Sequence, residues 1–175
     1  SNADAEVIVN PYITIICEEE SAVCFQEVFY NMDSWVNNFK EVFIKSNAKL
    51  RFSSFQKRVL KGIKTSSFNC HIDDNAELDL KIINRERSKE DIRVFLNKEN
   101  SLARVSGLIL SSKNDESDVF CKVTHKGKMS RSEQNWRLIS AENSKTSING
   151  KICINKNAKA SNAVFYSKSL LLNKK

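Results

Sequence analysis

Apolar residues in this chain alternate with polar ones in short runs. Each run leads into a polar turn, and the unit recurs about every 27 residues. In order, the copies are Ile15-Ile16-Cys17 then Ala22, Val42-Phe43-Ile44 then Asn47-Ala48, Cys70-His71-Ile72 then Asn75-Ala76, Val94-Phe95-Leu96 then Asn100-Ser101, Cys121-Lys122-Val123 then Met129, and Ile152-Cys153-Ile154 then Asn157-Ala158. The column of small residues runs 22, 48, 76, 101, 129, 158, with Met129 the exception in size, at spacings of 26, 28, 25, 28 and 29. Strict alternation predicts strands that bury one face. Asn before a small residue suits a tight turn, because Asn tolerates left-handed backbone. After the turn the inward alternation resumes at Ala48, Leu50, Phe52, then at Ala76, Leu78, Leu80, then at Ser101, Ala103, Val105. One such coil cannot bury its own apolar face, but coils stacked roughly 4.8 Å apart can. The pattern therefore predicts an all-β fold, a parallel β-helix with coils of about 25–29 residues. The chirality rule for parallel crossovers makes it right-handed, and the uneven spacing calls for loops of varying length.

Length sets the outer bounds. A chain of 175 residues is read as one domain, with Ser1-Asn2-Ala3 a remnant of tag removal and residues 4–175 a single β-helix core. One proline (Pro11) and four glycines leave little room for linkers. No apolar run approaches the ~20 residues of a membrane span and no signal peptide is visible, so no membrane partner is expected.

Five cysteines raise a metal or cluster reading, but there is no C-x-x-C pair, and His71 and His125 complete no ligand set. The repeat register supplies the other reading. Cys17, Cys70, Cys121 and Cys24 fall at inward positions, and Cys153 points outward. Free cysteine packs as a small hydrophobe, and an odd count without a framework suits a reducing, cytoplasmic setting.

Charge is uneven. Residues 101–175 carry 14 Lys and Arg against 5 Asp and Glu, a balance of +9, and residues 1–100 carry 14 against 16, a balance of −2. A basic half can contact nucleic acid or an acidic partner. The lysines are not interleaved with a stacking platform of aromatics, however, and a solvated face is favoured over a nucleic-acid site. Parallel β-helices that cleave polysaccharides need clustered carboxylates or a Ca²⁺ site beside a basic groove. Here the acidic runs Glu18-Glu19-Glu20 and Asp73-Asp74 fall in turns, and no nucleophile elbow, phosphate loop or dinucleotide fingerprint occurs. Trp35 and Trp136 lie beside apolar residues and are expected to be partly buried packing.

The stretch His125-Lys126-Gly127-Lys128-Met129-Ser130-Arg131-Ser132, continuing through Trp136-Arg137 to Ile148-Asn149-Gly150-Lys151-Ile152, resembles the later core of the SufB/SufD family. So does Asn157-Ala158-Lys159-Ala160 with Tyr166-Ser167-Lys168-Ser169-Leu170-Leu171-Leu172. The resemblance is motif-level over residues 121–172 and pattern-level from Ile13 to Leu110. It implies a right-handed parallel β-helix core within an iron–sulfur cluster assembly complex. SufB-like and SufD-like subunits pair there, and a SufC-type ATPase binds.

The SufB-like cysteine connected with cluster assembly has its counterpart at Ser167, and Leu170-Leu171-Leu172 resembles the SufD branch. The resemblance therefore implies a SufD-like, non-catalytic scaffold. His125 is not the SufD-like histidine, which lies in a further rung downstream. The family's terminal helical regions, including the C-terminal helices through which the SufC-like ATPase would bind, are not in this chain. No catalytic, cofactor or metal residue is expected in it, the clusters and ATP belonging to the parent complex. The candidate partner interface is the C-terminal rung, at Val164, Tyr166, Ser167, Leu170 and Leu172, open to a SufB-like subunit or to a second copy as a homodimer. The alternative is a β-helix that binds or cleaves an acidic polymer through its basic C-terminal half.

Overall fold

The computed structural model describes residues 8–30, 34–56, 62–85 and 87–172; residues 1–3, read as a tag remnant, lie outside them. The strands are β1 (Ile8–Val9), β2 (Tyr12–Cys17), β3 (Ala22–Phe29), β4 (Trp35–Ile44), β5 (Lys49–Gln56), β6 (Ile63–Ile72), β7 (Glu77–Arg85), β8 (Ser88–Leu96), β9 (Leu102–Ser111), β10 (Glu116–His125), β11 (Arg131–Ala141), β12 (Lys145–Ile154) and β13 (Asn162–Leu172). They form two sheets. One holds β1 and β2 along β4, then β6, β8, β10 and β12; the other runs β3-β5-β7-β9-β11-β13. Pairing is parallel in both. The chain alternates between the sheets, which makes a parallel β-solenoid of about six coils, with no helix among the described residues.

One corner of each coil is a stacked turn. Glu20, Asn47, Asn75, Asn100, Met129 and Ala160 hold left-handed backbone, with φ of 61, 61, 53, 53, 53 and 57°. Asn takes this conformation more readily than Glu, Met or Ala. The N–H groups of these residues form their own ladder. Glu20 donates to the Ser46 carbonyl at 3.1 Å, Asn47 to Asp74 at 2.9 Å, Asn75 to Glu99 at 3.0 Å, Asn100 to Lys128 at 3.1 Å and Met129 to Lys159 at 2.9 Å. The turns are thus hydrogen-bonded from coil to coil as the strands are.

The small residue follows the left-handed one. The column holds at Ala48, Ala76 and Ser101 but consists of Ser21, Ser130 and Ser161 at the other coils, in place of Ala22, Met129 and Ala158. Met129 is large because it occupies the left-handed position, and Ala158 is buried inside a longer sixth turn. The one-residue offset in the first coil flips the alternation there. Val23 and Phe25 pair with inward Leu50 and Phe52, and Cys24 pairs with Arg51 and is exposed. Cys24 is therefore an outward thiol, not an inward one. Cys17, Cys70 and Cys121 are buried, and Cys153 lies on the outward alternation of β12.

Inside, equivalent positions stack into columns. Nearest the Asn corner they are Cys17-Ile44-Ile72-Leu96-His125-Ile154, then Ile15-Val42-Cys70-Val94-Val123-Ile152. The facing sheet contributes Leu50-Leu78-Ala103-Ser132 and Phe25-Phe52-Leu80-Val105-Gln134. Phe25 stacks on Phe52 at 5.0 Å, and Phe68 meets Phe52 edge-on at 5.2 Å. Outside, His71 is sandwiched between Phe43 at 5.2 Å and Phe95 at 4.8 Å.

Trp136 is wholly buried and not partly so, whereas Trp35 is 47% exposed, with its indole N–H donating to Thr65 Oγ1 at 3.2 Å. Room for Trp136 comes from the coil before it. Gly107 pairs with Trp136, and a Cβ built there would lie 2.1 Å from the ring. Gly107→Ala should therefore overpack the core by about 1–3 kcal/mol, lowering the urea midpoint. In a Trp136→Leu background the same change should cost clearly less, because the two positions share one space.

Candidate functional site: the C-terminal edge and the polar interior

The last coil is built from β12 and β13. β12 pairs with β10 and β13 with β11, and neither has a further strand beside it among the described residues. Each therefore offers a row of unpaired backbone donors and acceptors, a template for another strand. All five residues expected at the interface lie on β13, where alternation divides them. Val164, Tyr166, Leu170 and Leu172 share the outer face, and Ser167, paired with buried Trp136, faces the interior. Tyr166 is 58% exposed and Leu170 53%.

Sequence reasoning overlooked the interior-facing residues of the same coil. Ile154, Phe165 and Leu171 continue the inner columns with no further coil beside them among the described residues, and all three are exposed. Their parity with buried residues of the preceding coil was the available signal. Phe165 leans across the lumen over Gly150, where a Cβ would stand 2.0 Å from its ring.

A second feature went unread in the sequence. Away from the Asn corner the interior turns polar and charged. Lys40 has the same parity as Val42 and Ile44, so β4 carries it inside. There it meets Glu27 at 3.0 Å, while Asn38 Nδ2 and Ser54 Oγ donate to the same carboxylate at 2.9 and 3.0 Å. One coil further on, Lys64 meets Glu90 at 2.7 Å and donates to Asn84 Oδ1 at 3.2 Å, and Asn84 donates to Glu90 at 2.8 Å. The Lys64 ammonium also stands 4.5 Å from the centre of the Phe29 ring. Burial lowers the Lys40 pKa; Glu27 pulls it up and Lys64 pushes it down further. The Gln56 side chain is buried with no partner for either amide atom among the described residues.

His125 is buried in the inner column, and its two ring nitrogens are both occupied. Nδ1 lies 2.8 Å from Ser130 Oγ and Nε2 2.9 Å from Ser132 Oγ. Ser130 donates to the Gly127 carbonyl at 2.9 Å, so its oxygen accepts from Nδ1–H and Ser132 donates to Nε2. That arrangement satisfies a neutral imidazole and leaves no nitrogen for a ligand. Burial lowers the pKa of His125 and also of His71, where the Lys126 charge adds to it. Burial raises the pKa of the Cys17, Cys70 and Cys121 thiols, which disfavours the thiolate. No group of three or more His, Cys, Asp or Glu able to hold a metal occurs among the described residues.

The outer charges run between coils. Lys98 reaches Asp73 and Asp74, each at 3.6 Å, Lys128 reaches Glu99 at 3.4 Å and Lys145 reaches Glu116 at 3.1 Å. The acidic run Asp73-Asp74 is thus an inter-coil partner. A groove of about 470 Å³ beside the opposite corner is lined by Arg87, Lys89, Glu116 and Asp118 among others. Three of its charges are engaged within the protein: Arg87 with Asp115 at 3.7 Å, Glu116 with Lys145, and Asp118 with Ser147. Among the described residues no helix is long and apolar enough to cross a membrane.

Two parallel sheets wound into one stack, filled by side-chain columns and open at a strand edge, define a β-solenoid core that presents edges rather than a cleft. The chain belongs to the family described as SUF system FeS cluster assembly, SufBD core domain, whose model matches residues 1–175. Membership ties it to iron–sulfur cluster assembly by the SUF system. A comparison with curated proteins found no match.

Two measurements test the interior. Lys64→Met strands the Glu90 carboxylate in a buried site and should cost about 3–5 kcal/mol by urea unfolding, whereas Lys64→Met with Glu90→Leu should recover most of that loss. The histidines make stability pH-dependent. A histidine whose pKa is lowered by folding binds its proton more readily in the unfolded chain, near pH 6.5, so its contribution is complete above that value and is lost as the pH falls below it. Unfolding free energy should therefore fall from pH 7.5 to 5.5, and His125→Gln should flatten the slope.

Proposed function

We propose that this chain is the β-solenoid core of a SufD-like, non-catalytic subunit that positions partners in a SUF assembly complex in the cytoplasm. The observation that carries the reading is the exposed edge of β13, whose outer face bears Val164, Tyr166, Leu170 and Leu172 in a chain of the SufBD family. A SufB-like subunit extends that edge by strand addition, with backbone hydrogen bonds giving affinity and the alternate side chains giving specificity. A rigid stack holds those groups without an ordering cost at binding. Ser167 stands where the resemblance implies a cysteine in SufB-like chains, which supports the SufD branch. The raised pKa values of the interior cysteines support a scaffold over a sulfur-handling site. A SufC-type ATPase joins through regions outside this chain, and clusters and ATP are handled by the complex. The acidic-polymer reading has less support, because Arg87 and both carboxylates of the groove that mixes them with Lys89 are matched within the protein.

Co-purification tests the proposal. The full-length protein should recover SufB-like and SufC-like subunits under anaerobic, reducing conditions. Tyr166→Asp with Leu170→Asp should cut recovery of the SufB-like subunit by about tenfold, the loss of one or two central apolar contacts. Failure of the unaltered protein to recover either subunit would sink the assignment.

A further inference from the structure

Charge on the outer faces follows a rule from coil to coil. On the sheet that holds β5, β7, β9 and β11, one outward column reads Arg51, Asp79, Arg104, Glu133, changing sign at every step. Lys49 beside it meets Glu77 of the next coil at 3.0 Å. The opposite sheet breaks the rule. Its outward column Glu41, Asn69, Arg93, Lys122, Lys151 sets cations in register on β8, β10 and β12. Like charges directly opposite each other across strands are destabilising, and a position where folding would favour the other sign points to a use outside the fold. We propose that the outer face of β8, β10 and β12 is a docking surface for an acidic segment of a partner protein.

Most of this charge is unmet within the protein. Asp91 accepts from Arg93 at two points, Nε at 3.0 Å and Nη2 at 2.9 Å. Lys122 and Lys151 have no acidic partner among the described residues. Glu116 and Asp118, at the far end of β10, are engaged with Lys145 and Ser147. Lys126 adds a further cation at the Asn corner: its ammonium donates to Asn97 Oδ1 at 3.1 Å and lies over the Phe95 ring, 5.0 Å from its centre. That support holds the charge in place without neutralising it, so less freedom is lost on binding. The surface faces away from the pairing direction, so a further coil beside β12 would lengthen it and not cover it. It is separate from the β13 edge, which lies in the other sheet.

Spacing and surroundings select the partner. Arg93 and Lys151 stand two coil spacings apart, about 10 Å, which is too far for one phosphate and suits carboxylates repeated along a peptide. A helix laid along the stack presents side chains once per turn of about 5.4 Å, close to the coil repeat of roughly 4.8 Å, so successive turns meet successive coils. Single-stranded nucleic acid binds through open ring faces. Here Phe43, His71 and Phe95 are stacked on one another at 5.2 and 4.8 Å with Lys126 over the last, and Phe120 alone remains, half-buried on β10. A membrane surface calls for apolar side chains that enter the headgroup layer, whereas the outward neighbours of these cations include Asn69, Thr124 and Asn149.

Fluorescence anisotropy of labelled decaglutamate titrated with the 175-residue chain tests this. Binding that weakens steeply from low to high salt is expected. Lys122→Glu sets a carboxylate between Arg93 and Lys151 and restores the alternation of sign. It should raise the urea midpoint of the unbound chain, yet cut the affinity for decaglutamate at least about tenfold. Lys81→Glu, the same change of charge on the other sheet, should alter the affinity by less than about twofold. Four results would overturn the proposal: no binding of decaglutamate by the unaltered chain, a lowered midpoint with Lys122→Glu, an equal loss of affinity with Lys81→Glu, or tighter binding of oligothymidylate or of phosphatidylserine vesicles than of decaglutamate.

Discussion

Everything in this molecule depends on parallel backbone pairing between successive coils. A coil on its own has no partner for its strands and no second layer for its apolar face. Pairing also dictates which side chains become neighbours, because residue n of one coil sits on one residue of the next. The columns follow from that: Val42 on Cys70 on Val94, and Phe25 on Phe52. The Asn corner extends the same constraint through the turn, since the left-handed N–H of one coil is bonded to a carbonyl of the next. Gly107 and Trp136 show it at the level of volume, one coil yielding the space that the next fills.

The polar interior sits uneasily with a core built only for burial. Two lysines and two carboxylates are held inside, where desolvation offsets much of their attraction. They persist because each charge has further partners: Asn38 and Ser54 on Glu27, Asn84 between Lys64 and Glu90. A network of this kind resists a slip of one residue, because a shifted strand would carry Lys40 outward and leave Glu27 alone. The aliphatic columns near the Asn corner are far less discriminating, as valine, isoleucine and leucine replace one another along them.

The coil architecture was legible because alternation and the Asn turn are local signals that repeat. The inward sets Ala48-Leu50-Phe52 and Ala76-Leu78-Leu80 are buried as the pattern requires. The first coil was misread where Ala22 was taken for the small residue instead of Ser21, and with period-2 side chains that single step moved Cys24 from outside to inside. Lys40 and Lys64 were missed because a lysine is ordinarily solvated, and hydropathy outweighed parity. The edge on β13 was legible as a place. Its division into outer and inner residues, with Phe165 and Leu171 on the inner side, was not, since that depends on which residue of β13 pairs with Trp136.

On the flank opposite the Asn turns the number of residues separating successive strands varies, from two between β7 and β8 to six between β5 and β6, yet the strands on either side keep their pairing. Material added at that flank leaves the spacing along the axis untouched. The molecule is in that sense a ruler graduated in coils: its outline can be ornamented freely on one side, while the separation of its two ends changes only in whole steps.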